Sequence, residues 1–123
     1  MRAIDTNIVV RFLTNDDLKQ SRSARKVIEA GEVFIASTVL LESEWVLRSG
    51  YGAGLRGLAG LPGITVEEPI ALAQALAWTS KGMDFADALH LAKSRECDAF
   101  LTFDRKLRTL AKTVGAISVR APA

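Results

Sequence analysis

Arg2-Ala3-Ile4-Asp5-Thr6-Asn7-Ile8-Val9-Val10 opens the chain, and Ala99-Phe100-Leu101-Thr102-Phe103-Asp104-Arg105-Lys106-Leu107 repeats its layout near the end. In each, a short apolar run leads to an aspartate, and the aspartate leads into a helical pattern. Short apolar strands that feed directly into helices are the signature of βα units and a parallel sheet. In such sheets ligands bind at the carboxyl ends of the strands, where Asp5 and Asp104 fall.

Working outward, strands and helices alternate. Ala3-Ile4 reads as a strand and Asn7 to Leu13 as a helix that Thr6 can cap, leaving Asp5 free at the strand end. A polar helix spans Asp16 to Ala30, with Asp16 and Asp17 as capping residues and Gly31 as its stop. Val33 to Ala36 is a strand, and Ser37 or Thr38 caps an apolar helix reaching Arg48. Gly50 to Gly63 holds six of the nine glycines and reads as a turn-rich connection with a short helical turn at Leu55 to Leu61. Beyond it come a strand at Ile64 to Val66 and helices at Pro69 to Thr79 and Asp84 to Glu96. A strand at Ala99 to Thr102, a helix at Asp104 to Lys112 and a strand at Ala116 to Val119 complete the chain. The expected fold is α/β: one three-layer α/β/α domain over residues 1–123, with a short-stranded, mostly parallel central sheet.

Composition agrees with a soluble globule: 123 residues, 49% hydrophobic and 24% charged, with a net charge of +2. That small positive balance permits contact with nucleic acid but does not argue for it. The lone Cys97 cannot form an internal disulfide, no stretch has a signal-peptide layout, and no apolar run approaches the ~20 residues that span a bilayer. A cytoplasmic protein without a membrane role is expected.

Four acids carry the functional reading. Besides Asp5 and Asp104, Glu42 lies in an apolar helix with Thr38, Val39, Trp45 and Val46 at helical spacing and no basic partner there, whereas Glu44 has Arg48 four residues later. Asp84 and Asp87 share one helical turn; Asp84 suits a cap, and Asp87 shares a face with Leu91. Thr102 adds a hydroxyl beside Asp104. Carboxylates gathered at strand ends repel unless a cation lies between them, and an oxygen-only donor set suits Mg²⁺ or Mn²⁺. His90 reads as a hydrogen-bonding residue, so zinc is not expected. Metal-assisted hydrolysis is the chemistry such a set supports.

Basic residues cluster at Lys19, Arg22, Arg25 and Lys26, and again at Arg105, Lys106, Arg108 and Lys112. The second cluster directly follows Asp104, where a phosphate backbone would need neutralising, so Arg105 and Lys106 are candidate nucleic-acid contacts. No aromatic-rich platform for stacking bases is evident.

Ile-Asp-Thr-Asn (4–7), Leu-Leu-Glu-Ser-Glu-Trp-Val-Leu-Arg (40–48), Asp-Phe-Ala-Asp-Ala-Leu-His-Leu-Ala (84–92) and Leu-Thr-Phe-Asp-Arg-Lys-Leu (101–107) together resemble the PIN-domain ribonucleases, above all the VapC toxins of type II toxin–antitoxin pairs. The resemblance spans the chain in the family's order. It implies a metal-dependent endoribonuclease acting as a toxin, with Asp5, Glu42, Asp87 and Asp104 as catalytic metal ligands and Asn7, Asp84 and Thr102 in support. It also implies Mg²⁺ or Mn²⁺, an RNA substrate, an antitoxin partner and a homodimer. The compact glycine-rich stretch departs from the pattern near the substrate groove. A PIN-like module that binds protein or RNA without catalysis is the alternative. A phosphoacceptor domain would need an adjacent acidic pair that Asp5-Thr6-Asn7 lacks, and a phosphatase loop Asp-x-Asp has Asn7 in its second place.

Overall fold

The structure, a computed structural model, describes residues 1–47 and 52–122, with no side-chain description at 52 and 53. Its backbone divides into two compact units, Met1–Pro69 and Ile70–Ala123.

In the first unit, strands β1 (Arg2–Ala3), β2 (Val33–Ile35) and β3 (Ile64–Val66) form a parallel sheet in the order β1-β2-β3. Register pairs Arg2 with Val33 and Val33 with Ile64. β2 is the middle strand, and its Val33 and Ile35 are fully buried. Helices α1 (Thr6–Leu13) and α3 (Ser37–Leu47) leave the carboxyl ends of β1 and β2, and α2 (Leu18–Glu29) packs on α1. Ile4 donates to the Phe34 carbonyl at 3.2 Å, which fixes the backbone just before Asp5. The sheet's other end is tight: a Cβ on Gly63 (φ 80°) would come within 2.8 Å of Gly31 Cα.

Several boundaries differ from the sequence expectation. Asp5, not Thr6, caps α1: its Oδ1 accepts from Ile8 N at 3.1 Å, and Thr6 is already helical. Asp17 caps α2, which begins at Leu18. Ser37 starts α3, and its N–H is met by the Glu67 carboxylate at 2.9 Å, an anion supplied from beyond β3 to a helix N-terminus. The glycine-rich stretch contains a helix, α4 (Gly52–Ala59), rather than a turn near its end. Leu55 and Leu58, 1% and 2% exposed, are buried one helical turn apart, and that burial outweighs the poor helix propensity of the helix's glycines. The expected end of α3 at Arg48, the Glu44–Arg48 pair and the start of the connection at Gly50 lie outside the described residues.

In the second unit, α5 (Pro69–Thr79) and α6 (Phe85–Lys93) supply most of the core through Leu72, Leu76, Trp78, Phe85, Leu89 and Leu91. Strands β4 (Ala99–Leu101) and β5 (Ser118–Arg120) pair in parallel, joined by α7 (Arg105–Val114), which ends at Gly115 in the left-handed region. α6 stops at Lys93, short of Glu96: Ser94 donates its hydroxyl to the His90 carbonyl at 2.8 Å and closes the last turn. Among the described residues the strand pairings are parallel, as expected. Among the described residues no helix is long and apolar enough to cross a membrane.

Candidate active site

Asp5, Asn7 and Glu42 belong to the first unit. The cap bond engages Oδ1 of Asp5, and the residue is exposed. Glu42 is exposed, not buried in the apolar stripe of its helix. Its partner lies on another element: the hydroxyl of buried Thr6 donates to Glu42 Oε1, which links α1 to α3. Since Asp5 immediately precedes Thr6, this bond brings the strand-end aspartate and the helical glutamate onto neighbouring elements. Asp5 and Asn7 also line a cavity of about 320 Å³ together with Arg11 and Gln20, whose side chains are joined Nε to Oε1 at 2.7 Å.

Asp84, Asp87, Thr102 and Asp104 belong to the second unit. Asp84 caps α6, its Oδ2 accepting from Asp87 N at 3.2 Å. Asp104 caps α7, accepting from Leu107 N at 3.0 Å, and its own N–H donates to the Thr102 hydroxyl at 3.0 Å. Thr102 thus sets the turn that carries Asp104. Arg108 is drawn into the same turn, donating to the Thr102 carbonyl at 3.1 Å, while Arg105 and Lys106 stay exposed. Asp87 lies half-buried in the first turn of α6. Burial is the largest cause raising its pKa; the negative charges of Asp84 and Asp104 raise it further, and His90 partly opposes them.

Burial and the neighbouring carboxylates disfavour the charged form of Asp87, a cost that a cation would offset, and the donors are all hard oxygens of the kind that suit Mg²⁺ or Mn²⁺. Among the described residues, however, no three His, Cys, Asp or Glu side chains stand together as a ready metal-holding group. The two observations are compatible. Charges repel across many ångströms, whereas ligand oxygens must approach a small divalent ion to roughly 2.0–2.6 Å.

A model of the PIN domain matches residues 3–113. The chain belongs to the PIN-domain family. The PIN domain is a nuclease fold of the α/β class, in agreement with the parallel strands and intervening helices. No curated protein gives a significant match. Within this PIN chain, sequence reasoning missed Thr6 as a partner of Glu42. The available signal was a hydroxyl at the first helical position beside Asp5.

Proposed function

We propose that this PIN chain is an Mg²⁺- or Mn²⁺-dependent endoribonuclease of the VapC toxin type, with residues 1–123 acting as a single domain. The observation that carries the reading is the match of residues 3–113 to the PIN domain, a nuclease fold, in a chain whose acids Asp5, Asp84 and Asp104 cap the helices that follow them. In this reading Asp5, Glu42, Asp87 and Asp104 hold the cation. When bound, it would supply Lewis acidity that lowers the pKa of a water molecule and offsets phosphate charge. The chain's own groups do the rest. Thr6 orients the Glu42 carboxylate by hydrogen bonding, and the caps of α1 and α7 fix the directions of Asp5 and Asp104. Thr102 fixes the Asp104 turn. Arg105 and Lys106 receive the RNA backbone. Water opens the phosphodiester, so no side-chain nucleophile is required.

The toxin role brings a cognate antitoxin and a homodimer as partners, in the cytoplasm. Exposed Trp45 and Val46 on α3, 66% and 56% accessible, support an apolar contact between copies. The test is expression of the chain in a bacterial host, with and without the small reading frame neighbouring its gene. Growth arrest with RNA fragmentation, relieved by the neighbour, is expected. Normal growth and intact RNA, with folded protein present, would overturn the toxin reading.

A further inference from the structure

The turn between β4 and α7 holds one aromatic ring in solvent between two fixed neighbours. Thr102 is held three ways: its N–H donates to the Arg120 carbonyl at 3.0 Å, its carbonyl accepts from Arg108, and its hydroxyl accepts from Asp104 N. Asp104 is held by its cap bond to Leu107 N. Between them, Phe103 is 85% exposed, more than any other exposed large hydrophobic residue described. A single exposed leucine on a surface is ordinary. An aromatic ring on a turn pinned at both sides is different, because the ring has been placed without being buried.

The charges around it point the same way. Arg105 and Lys106 are exposed in the first turn of α7, the positive end of the helix dipole, where cations are disfavoured and anions are stabilised. Two cations at that end are relieved by a polyanion. A flat apolar face beside an anion-seeking helix start matches a single-stranded nucleic acid, whose bases stack on aromatic rings while cations track its phosphates.

We propose that Phe103 is a base-stacking platform: one base of single-stranded RNA lies on its ring, and the adjoining phosphate lies against Arg105 and Lys106. This rests on the ribonuclease reading above and deepens it, placing a substrate base next to Asp104. Every base has a π-face, so the platform tolerates any base and sets the position of the strand rather than its sequence. Because the turn is held in advance, little ordering accompanies binding.

The test uses the full chain carrying Asp5→Asn to prevent cleavage, titrated with short single-stranded RNAs that carry 2-aminopurine at successive positions. Stacking quenches that fluorophore. Quenching at one position is expected, lost in Phe103→Ala and kept in Phe103→Trp, with affinity about tenfold weaker in the alanine variant. Lys106→Ala should flatten the salt dependence of binding while quenching persists at saturation. Unchanged quenching and affinity in Phe103→Ala would overturn the platform and leave the ribonuclease reading intact. If the alanine change instead converts a dimer to a monomer at unchanged RNA affinity, the ring is a contact between copies and the platform falls. No RNA binding, together with no cleavage by the unmodified chain, would overturn both.

Discussion

Thr6 donates its hydroxyl hydrogen to the carboxylate of Glu42, across 36 residues of sequence, and so ties the start of α1 to the middle of α3. Thr6 is buried and Glu42 exposed, so the bond tethers one oxygen of an otherwise accessible carboxylate. Thr6→Val keeps the shape and removes the donor. Groups that orient metal ligands typically matter by about 10–100-fold. RNA cleavage by Thr6→Val should fall within that range while Thr6→Ser stays near wild type, as measured by initial rates at several Mn²⁺ concentrations.

Asp5, Asp84 and Asp104 are all helix N-caps as well as candidate site residues, which makes two substitutions informative at each. Asparagine caps about as well as aspartate but carries no charge, whereas alanine cannot cap and costs ~1 kcal/mol. Asp5→Asn and Asp104→Asn should therefore unfold at nearly the wild-type urea midpoint yet cleave nothing. The alanine variants should lose both stability and cleavage. Equal destabilisation by asparagine and alanine would show that charge, rather than the cap, holds these helix starts.

At Asp87 the sign of the pH dependence can be stated. Burial first, then the charges of Asp84 and Asp104, raise its pKa. A raised carboxyl pKa means that the folded protein holds the proton more tightly than the unfolded chain does. That contribution is complete below the ordinary aspartate range and is lost as pH rises through the folded-state value. Near neutral pH the ionised carboxylate thus opposes folding when no divalent cation is present. Asp87→Asn should raise the urea midpoint in EDTA at neutral pH, with the gain shrinking in acid. Mn²⁺ should then stabilise the wild type more than the variant. A gain equal at both pH values would contradict the electrostatic cause.

Two glycines separate backbone need from helix propensity. Gly57 lies inside α4 with nothing within 4 Å of an added Cβ, so Gly57→Ala should stabilise by roughly 0.5–1 kcal/mol. Gly63 has φ 80°, and its Cβ would meet Gly31 Cα at 2.8 Å, where β3 joins β2. Gly63→Ala should destabilise by more than the first change stabilises. Thermal or urea unfolding of the two variants reads both signs.

The β1–α1 and β4–α7 junctions were legible in the sequence because each combines an apolar run, an aspartate and a helical pattern within a few residues. What needed the structure is non-local. Thr6 reaches Glu42 only because α1 packs on α3, and no periodicity on either helix announces it. Glu67 serving the start of α3 is equally remote from Ser37 in sequence. α4 was obscured because its glycines argue for a turn while only tertiary burial of Leu55 and Leu58 argues for a helix. The exposure of Phe103, 85%, is likewise a tertiary fact that the pattern around Asp104 does not announce.

The central claim is that this PIN chain cleaves RNA with a divalent metal and that Asp5 and Asp87 are each required for it. The most direct measurement is cleavage of cellular RNA by the purified chain in Mg²⁺, in Mn²⁺ and in EDTA, beside folded Asp5→Asn and Asp87→Asn. The account predicts cutting with either metal, none in EDTA, and none by either variant. Cutting that persists in EDTA, or in either folded variant, would contradict it.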